Sequence, residues 1–187
     1  MRTWLALGLM LPLTVLAQLR NFDADFDDEG RWAASGTVIE ALLSRMLSEP
    51  YFALPAPKST GRDLFNASWL AVQLRGFEDR KPADVQATLT ELTARTCCTD
   101  ALQSTAELPA LIVCGGGALN TRLMDRLRAL LPGTQVTSST DWGLPPLQVE
   151  AAAFAWLARK TVRREKLDLT STTGARGARV LGGVYPA

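Results

Sequence analysis

Leu111-Ile112-Val113-Cys114-Gly115-Gly116-Gly117-Ala118-Leu119-Asn120 is a short apolar run that breaks on three glycines. Four consecutive apolar residues suit a strand buried on both faces, as in a parallel sheet. The spacing of Leu119 to Leu131 then predicts a helix that ends before Pro132-Gly133. Strand, glycine turn and helix in that order make an α/β unit. Glycines at a strand's carboxyl end let backbone N–H groups approach a ligand without interference from Cβ, and the helix N-terminus that follows favours negative charge. The pattern alone fits either a nucleotide-cradling loop or a bare strand-to-helix turn. It is not a dinucleotide fingerprint, because Gly115-Gly116-Gly117-Ala118-Leu119-Asn120 lacks the final glycine spacing.

Working outward, Val136 marks a further strand. Pro145-Pro146 opens a helix that runs through Ala151-Ala152-Ala153-Phe154-Ala155-Trp156-Leu157 into the basic segment Arg159 to Lys166. Upstream, Pro82 is a good first helical residue, and Val85, Leu89, Leu92 and Thr96 carry one face of a long helix reaching toward Leu102. Asp63 to Leu74 reads as helical. Thr37-Val38-Ile39-Glu40 reads as a capping box, with Thr37 as N-cap of a helix whose apolar face holds Leu42, Leu43 and Met46. Val180 to Tyr185 is a closing strand or tail.

Composition sets the limits. The chain has 187 residues, 20 basic and 19 acidic side chains, 47% hydrophobic residues and no histidine. Without histidine there is no Ser-His-Asp triad, Cys-His dyad, HExxH site or Cys2His2 finger. A net charge of +1 gives no electrostatic reason to expect nucleic acid. Cys97, Cys98 and Cys114 lack CxxC spacing and read as reduced, small buried hydrophobes.

Residues 1–21 depart from the rest. Arg2 leads into the uncharged stretch Thr3 to Leu19, which has a signal-peptide outline closing on Val15-Leu16-Ala17 and is too short for a membrane span. Asp23, Asp25 and Asp27 mimic the start of a calcium loop. Asp28 stands where that loop needs glycine and Ala34 where it needs a bidentate glutamate, so a solvated acidic loop is expected. Lys58-Ser59-Thr60 lacks the upstream glycine and strand of a P-loop, leaving Lys58 and Arg62 as anion contacts or a solvated turn. Glu150 opens the apolar helix, where a carboxylate suits the helix dipole or a sugar hydroxyl at a pocket edge.

Several ordered segments together resemble the anhydro-N-acetylmuramic acid kinase family. They are Tyr51-Phe52 with Pro55 to Asn66, Asp84 to Ala94, Val113 to Asn120, Val149 to Ala158, and Thr173-Gly174-Ala175-Arg176-Gly177. The resemblance covers residues 22–187. It implies an incomplete carboxy-terminal lobe of the actin-like, hsp70 and sugar kinase (ribonuclease H-like) fold. The implied reaction opens the anhydro ring of 1,6-anhydro-N-acetylmuramic acid with water and phosphorylates its 6-oxygen from ATP with Mg2+, in cytoplasmic cell-wall recycling. Gly115, Gly116, Gly117 and Asn120 would border the adenosine and phosphates, and Glu150 would face the sugar.

The departures shape the expectation. The family's G-T-S-x-D-G-x-D phosphate loop and D-T-G-P-x-N segment occur nowhere in these 187 residues. Counting back from Trp32, the family's general-base aspartate would fall near Ala6, which has no proton-accepting group. No catalytic residue and no metal ligand are therefore expected, and no turnover by the chain alone. Residues 1–21 are read as the product of a truncated or frameshifted gene; the rival reading is a signal peptide that exports the chain. Expected partners are the small sugar and either a second copy or a separately encoded first lobe, with no nucleic acid and no membrane. An uncovered sheet edge and exposed apolar surface should follow.

Overall fold

The computed structural model describes residues 26–58, 60, 61 and 63–185. Segment 1–21, Ala6, Ser59 and Arg62 lie outside them. The described chain is mixed α/β, with helices α1 (Arg31–Ala34), α2 (Glu40–Leu47), α3 (Ala67–Gln73), α4 (Pro82–Ser104), α5 (Thr121–Leu130), α6 (Val149–Val162) and α7 (Thr170–Thr173). Strands β1 (Ala110–Val113) and β2 (Gln135–Ser138) pair in parallel, with Leu111 opposite Val136 and Val113 opposite Ser138.

Helix α4 organises the molecule. Its amino-terminal half packs with Leu42, Leu43, Met46 and Leu70 through Val85, Leu89 and Leu92, while Ala94, Cys98 and Ala101 pack with Leu111, Leu123, Met124, Leu127 and Val136. The spacing reading gave this helix one apolar face. In fact every residue from Val85 to Ala94 is buried, including Gln86, Thr88, Thr90, Glu91 and Thr93. Its threonines make this possible by bonding back to the preceding turn. Thr90 Oγ1 donates to the Gln86 carbonyl at 3.0 Å, Thr93 to Leu89 at 3.0 Å and Thr96 to Leu92 at 2.9 Å. A hydroxyl satisfied inside its own helix carries little desolvation cost into the core.

Several expectations need correcting. Thr37 is not an N-cap: α2 starts at Glu40, behind Ile39, with no side-chain cap. Instead α4 ties down the extended entry, since Thr37 N–H donates to Asp84 Oδ1 at 2.8 Å and Ile39 N–H to Thr88 Oγ1 at 2.9 Å. Asp63 to Leu74 is helical only from Ala67, where Asn66 Oδ1 caps the Trp69 N–H at 2.9 Å. β1 is buried at Leu111 alone, because the helices cover one face of a two-stranded sheet. Val180 to Tyr185 forms no strand; the one bridge there joins Leu167 to Arg179.

In the acidic run, Asp23 and Asp25 lie outside the described residues and Asp28 and Glu29 are exposed, as in a solvated loop, while Asp27 turns to the backbone. Asp27 accepts from the N–H groups of Trp32 at 2.8 Å and Ala33 at 3.0 Å, satisfying the otherwise orphaned donors at the start of α1. Burial pushes the Cys97 thiol up to about 12 and the Cys98 thiol up to about 11, helped at Cys97 by Cys98 and Asp100 and at Cys98 by Glu91. Neither is a nucleophile near neutrality.

Candidate functional site

The glycine turn begins where β1 ends. Gly115 has φ 70° and ψ −168°, a conformation that is essentially restricted to glycine. A Cβ built there meets nothing within 4 Å, so the backbone opens onto free space. Gly116 to Leu119 form one 3-10 turn, with Gly117 buried. Asn120 then caps α5: its Oδ1 accepts from the Leu123 N–H at 2.9 Å while the residue is only 6% exposed. Gly30 packs so closely on this cap that a Cβ there would sit 2.2 Å from Asn120 Oδ1. The Asn120 oxygen is thus committed to the helix.

One hydrogen bond links the turn to the segment that carries Glu150. The Gly115 N–H donates to the Pro146 carbonyl at 3.0 Å. Pro146 opens a 3-10 turn to Gln148, which runs directly into α6 with Glu150 in its first turn. Glu150 is exposed. Gly115, Gly116 and Gly117 are therefore joined to the start of the Glu150 helix at the carboxyl end of a parallel strand pair, the end where open α/β sheets receive ligands.

A second turn at this end escaped the sequence reading. Ser138, the register partner of Val113, caps Ser139–Trp142: its Oγ accepts from the Thr140 N–H at 3.2 Å, and Asp141 Oδ2 accepts from the Ser138 N–H at 3.2 Å. The signal was legible as Ser138-Ser139-Thr140-Asp141, an S-x-x-D capping box. Ser139 Oγ is buried with no hydrogen-bond partner among the described residues. The open Cα face of Gly115 leaves room for a ligand to approach the backbone of the turn. Among the described residues, no three His, Cys, Asp or Glu side chains gather in a way that could hold a metal ion.

Lys58 is not in a solvated turn; the anion it meets is a carboxylate of the chain itself. Its Nζ lies 2.9 Å from Asp100 Oδ1, donates to the Phe52 carbonyl at 3.1 Å and stands 5.3 Å from the Tyr51 ring centroid. The pair is largely buried and fastens the 51–58 segment to the end of α4. Burial raises the Tyr51 hydroxyl pKa, and Asp100 adds to the shift. Gly174 meets this segment too, its ideal Cβ lying 3.5 Å from Pro57 Cγ.

Glu91 is a further charged group, one that no local pattern singles out. Its side chain is 3% exposed, yet it accepts from Arg126 Nε at 2.6 Å and from Arg95 Nε at 2.8 Å. Burial alone would raise its pKa, but the two guanidinium groups outweigh it and hold the carboxyl below the usual range. This is a structural clamp between α4 and α5.

A family profile described as anhydro-N-acetylmuramic acid kinase matches residues 13–187, beginning inside the segment 1–21 that the sequence reading set apart. The chain is 62% identical over 162 residues to the anhydro-N-acetylmuramic acid kinase of Variovorax paradoxus, covering 87% of this chain and 43% of that relative. It is 58% identical to that of Albidiferax ferrireducens, over 90% of this chain and 43% of the relative. With that of Ralstonia nicotianae it shares 56% identity, over 87% and 43%. The chain thus spans less than half the length of these relatives and matches their carboxy-terminal part. On the profile match and these identities, it belongs to the anhydro-N-acetylmuramic acid kinase family.

Proposed function

We propose that this chain carries the nucleotide- and sugar-facing portion of an anhydro-N-acetylmuramic acid kinase, within a carboxy-terminal lobe of the actin-like, hsp70 and sugar kinase fold, acting in the cytoplasm. Gly115, Gly116 and Gly117 border the adenosine and phosphates of ATP, with Asn120 holding the following helix in place. Glu150 accepts a hydrogen bond from a hydroxyl of 1,6-anhydro-N-acetylmuramic acid. The observation that carries this reading is the Gly115 N–H to Pro146 hydrogen bond at 3.0 Å, which couples the glycine turn to the start of the Glu150 helix. Mg2+ accompanies the nucleotide; no residue of this chain is assigned to it.

The chain by itself binds without turnover. Its residues can position a nucleotide and a sugar hydroxyl, but neither the G-T-S-x-D-G-x-D loop nor the D-T-G-P-x-N aspartate is present in the sequence. Phosphoryl transfer relies on positioning and on charge stabilisation at the γ-phosphate, and ring opening needs a base within reach of water. Incubating the purified chain with ATP and the anhydro sugar should yield no 6-phosphorylated product. Calorimetry with the sugar should show binding that Glu150→Gln weakens about 10-fold, the scale of one hydrogen bond to a charged group. Sugar affinity unchanged by Glu150→Gln would remove Glu150 from the site, and product formation would overturn the non-catalytic reading.

A further inference from the structure

The bend that precedes α1 has an unusual backbone. Glu29 and Gly30 follow one another with φ of 55° and 74°, both in the left-handed region. Glycine enters that region freely, but glutamate does so only when its surroundings hold it there. Asp27 does the holding. Its carbonyl accepts from the Gly30 N–H at 3.2 Å, and its carboxylate accepts from the Trp32 and Ala33 N–H groups at the start of α1. Gln86 Nε2, from a fully buried residue of α4, reaches the same carboxylate at 3.4 Å. The bend is thus tied to α1 and α4 together.

What the bend presents to α5 is the bare Cα of Gly30. A Cβ there would sit 2.2 Å from Asn120 Oδ1, 2.9 Å from Asn120 Cγ and 2.8 Å from Arg122 Cβ. Any side chain at this position would have to push Asn120 aside. Asn120 joins the glycine turn to α5 in two ways. Its Oδ1 accepts from the Leu123 N–H at 2.9 Å, and its own N–H donates to the Gly117 carbonyl at 3.2 Å, closing the turn Gly116–Leu119. The Ala118 N–H in turn donates to the Gly115 carbonyl at 3.2 Å. Packed under Gly30, Asn120 is only 6% exposed, so water has little access to compete for the cap.

We infer that Gly30 is a positioning residue for the glycine turn. It acts through Asn120: its bare Cα keeps the asparagine on the first turn of α5, and the asparagine keeps Gly115, Gly116 and Gly117 in register with that helix. The inference rests on the proposed function for what the turn binds, while the link from Gly30 to the cap stands on geometry alone.

The test compares the full chain with Gly30→Ala, and uses Gly76→Ala as the control for backbone strain. Gly76 has φ 81°, and a Cβ there meets nothing within 4 Å. Amide hydrogen exchange at Leu123 reads the cap without any ligand. It should be about 10-fold faster in Gly30→Ala, the scale of a lost N-cap, and unchanged in Gly76→Ala. ATP affinity should fall about 10-fold in Gly30→Ala and stay within ~2-fold of the parent in Gly76→Ala. In an Asn120→Ala background the group that Gly30 acts through is gone. There Gly30→Ala should weaken ATP binding no more than ~2-fold further, a non-additivity that a general loss of stability does not produce. Should Gly30→Ala fail to fold, Asp27→Asn tests the same link more gently. It keeps one acceptor oxygen, loses the other, and should speed Leu123 exchange about 3-fold. Leu123 exchange unchanged in the folded variant, or an ATP loss as large with Asn120→Ala as without it, would overturn the inference. A parent chain that binds no ATP overturns the proposed function instead, and Leu123 exchange then decides whether Gly30 holds the cap.

Discussion

Replacing Arg126 by leucine is expected to cost about 2–3 kcal/mol at pH 7 and distinctly less at pH 4. Arg126 holds both oxygens of Glu91, Nε to Oε2 at 2.6 Å and a terminal nitrogen to Oε1 at 3.1 Å. Without it, a carboxylate whose side chain is 3% exposed keeps only Arg95. Stranding one member of a buried ion pair costs about 3–5 kcal/mol, and the remaining Arg95 bond lowers that figure.

The pH dependence follows from the direction of the Glu91 shift. Its pKa in the fold is depressed, so its ionised form contributes stability above the ordinary carboxylate range. That contribution is lost as pH falls through the folded-state value. In Arg126→Leu the charge is less well compensated and its pKa rises, so protonation at pH 4 relieves the defect instead of creating one. Urea denaturation of parent and variant at both pH values measures this. The double variant Arg126→Leu/Glu91→Leu should recover most of the loss, because a well-packed apolar pair can replace a buried ionic one. An equal loss at pH 7 and pH 4 would show that Glu91 is not the group left stranded.

Leu92→Ala should have the larger effect at any pH, about 3–4 kcal/mol within the 2–5 range for buried leucine truncations. Leu92 is fully buried in the cluster of Leu42, Leu43, Met46, Val85 and Leu89. The helix around it is occupied on all sides, so there is little mobile material to collapse into the cavity. Against a total stability of roughly 5–15 kcal/mol, that is a large fraction. Leu147→Ala is the internal control: at 67% exposure it should change stability by under ~0.5 kcal/mol. A denaturant midpoint for Leu92→Ala that matches the parent would contradict the packing described for α4.

What the sequence disclosed depended on whether a residue's partner was local. The β1–glycine turn–α5 unit was legible because its apolar run, its glycines and its helical spacing lie within one contiguous stretch. Pro82 announced the start of α4 for the same reason, since its missing N–H is harmless only in a first turn. The burial of α4 on every side was hidden, because Thr88, Thr90 and Thr93 read as polar and only geometry reveals that they bond within the helix. Thr37 was misread because its true acceptor, Asp84 Oδ1, lies 47 residues away. At the site, Gly115 could be picked out by composition, but its Pro146 partner and the adjacent Ser138 turn depend on the register of β1 against β2. Glu91 carried no local signal, since both its clamp to Arg126 and its burial are tertiary.

The most direct measurement is calorimetric titration of ATP into the full chain and into Gly115→Ala. The backbone at Gly115 has φ 70° and open space over its Cα, so an added methyl both strains the turn and occupies the approach to it. The expected result is saturable ATP binding to the parent and an affinity at least ~10-fold weaker in Gly115→Ala. No ATP binding by the parent, or equal binding by the two proteins, would contradict it.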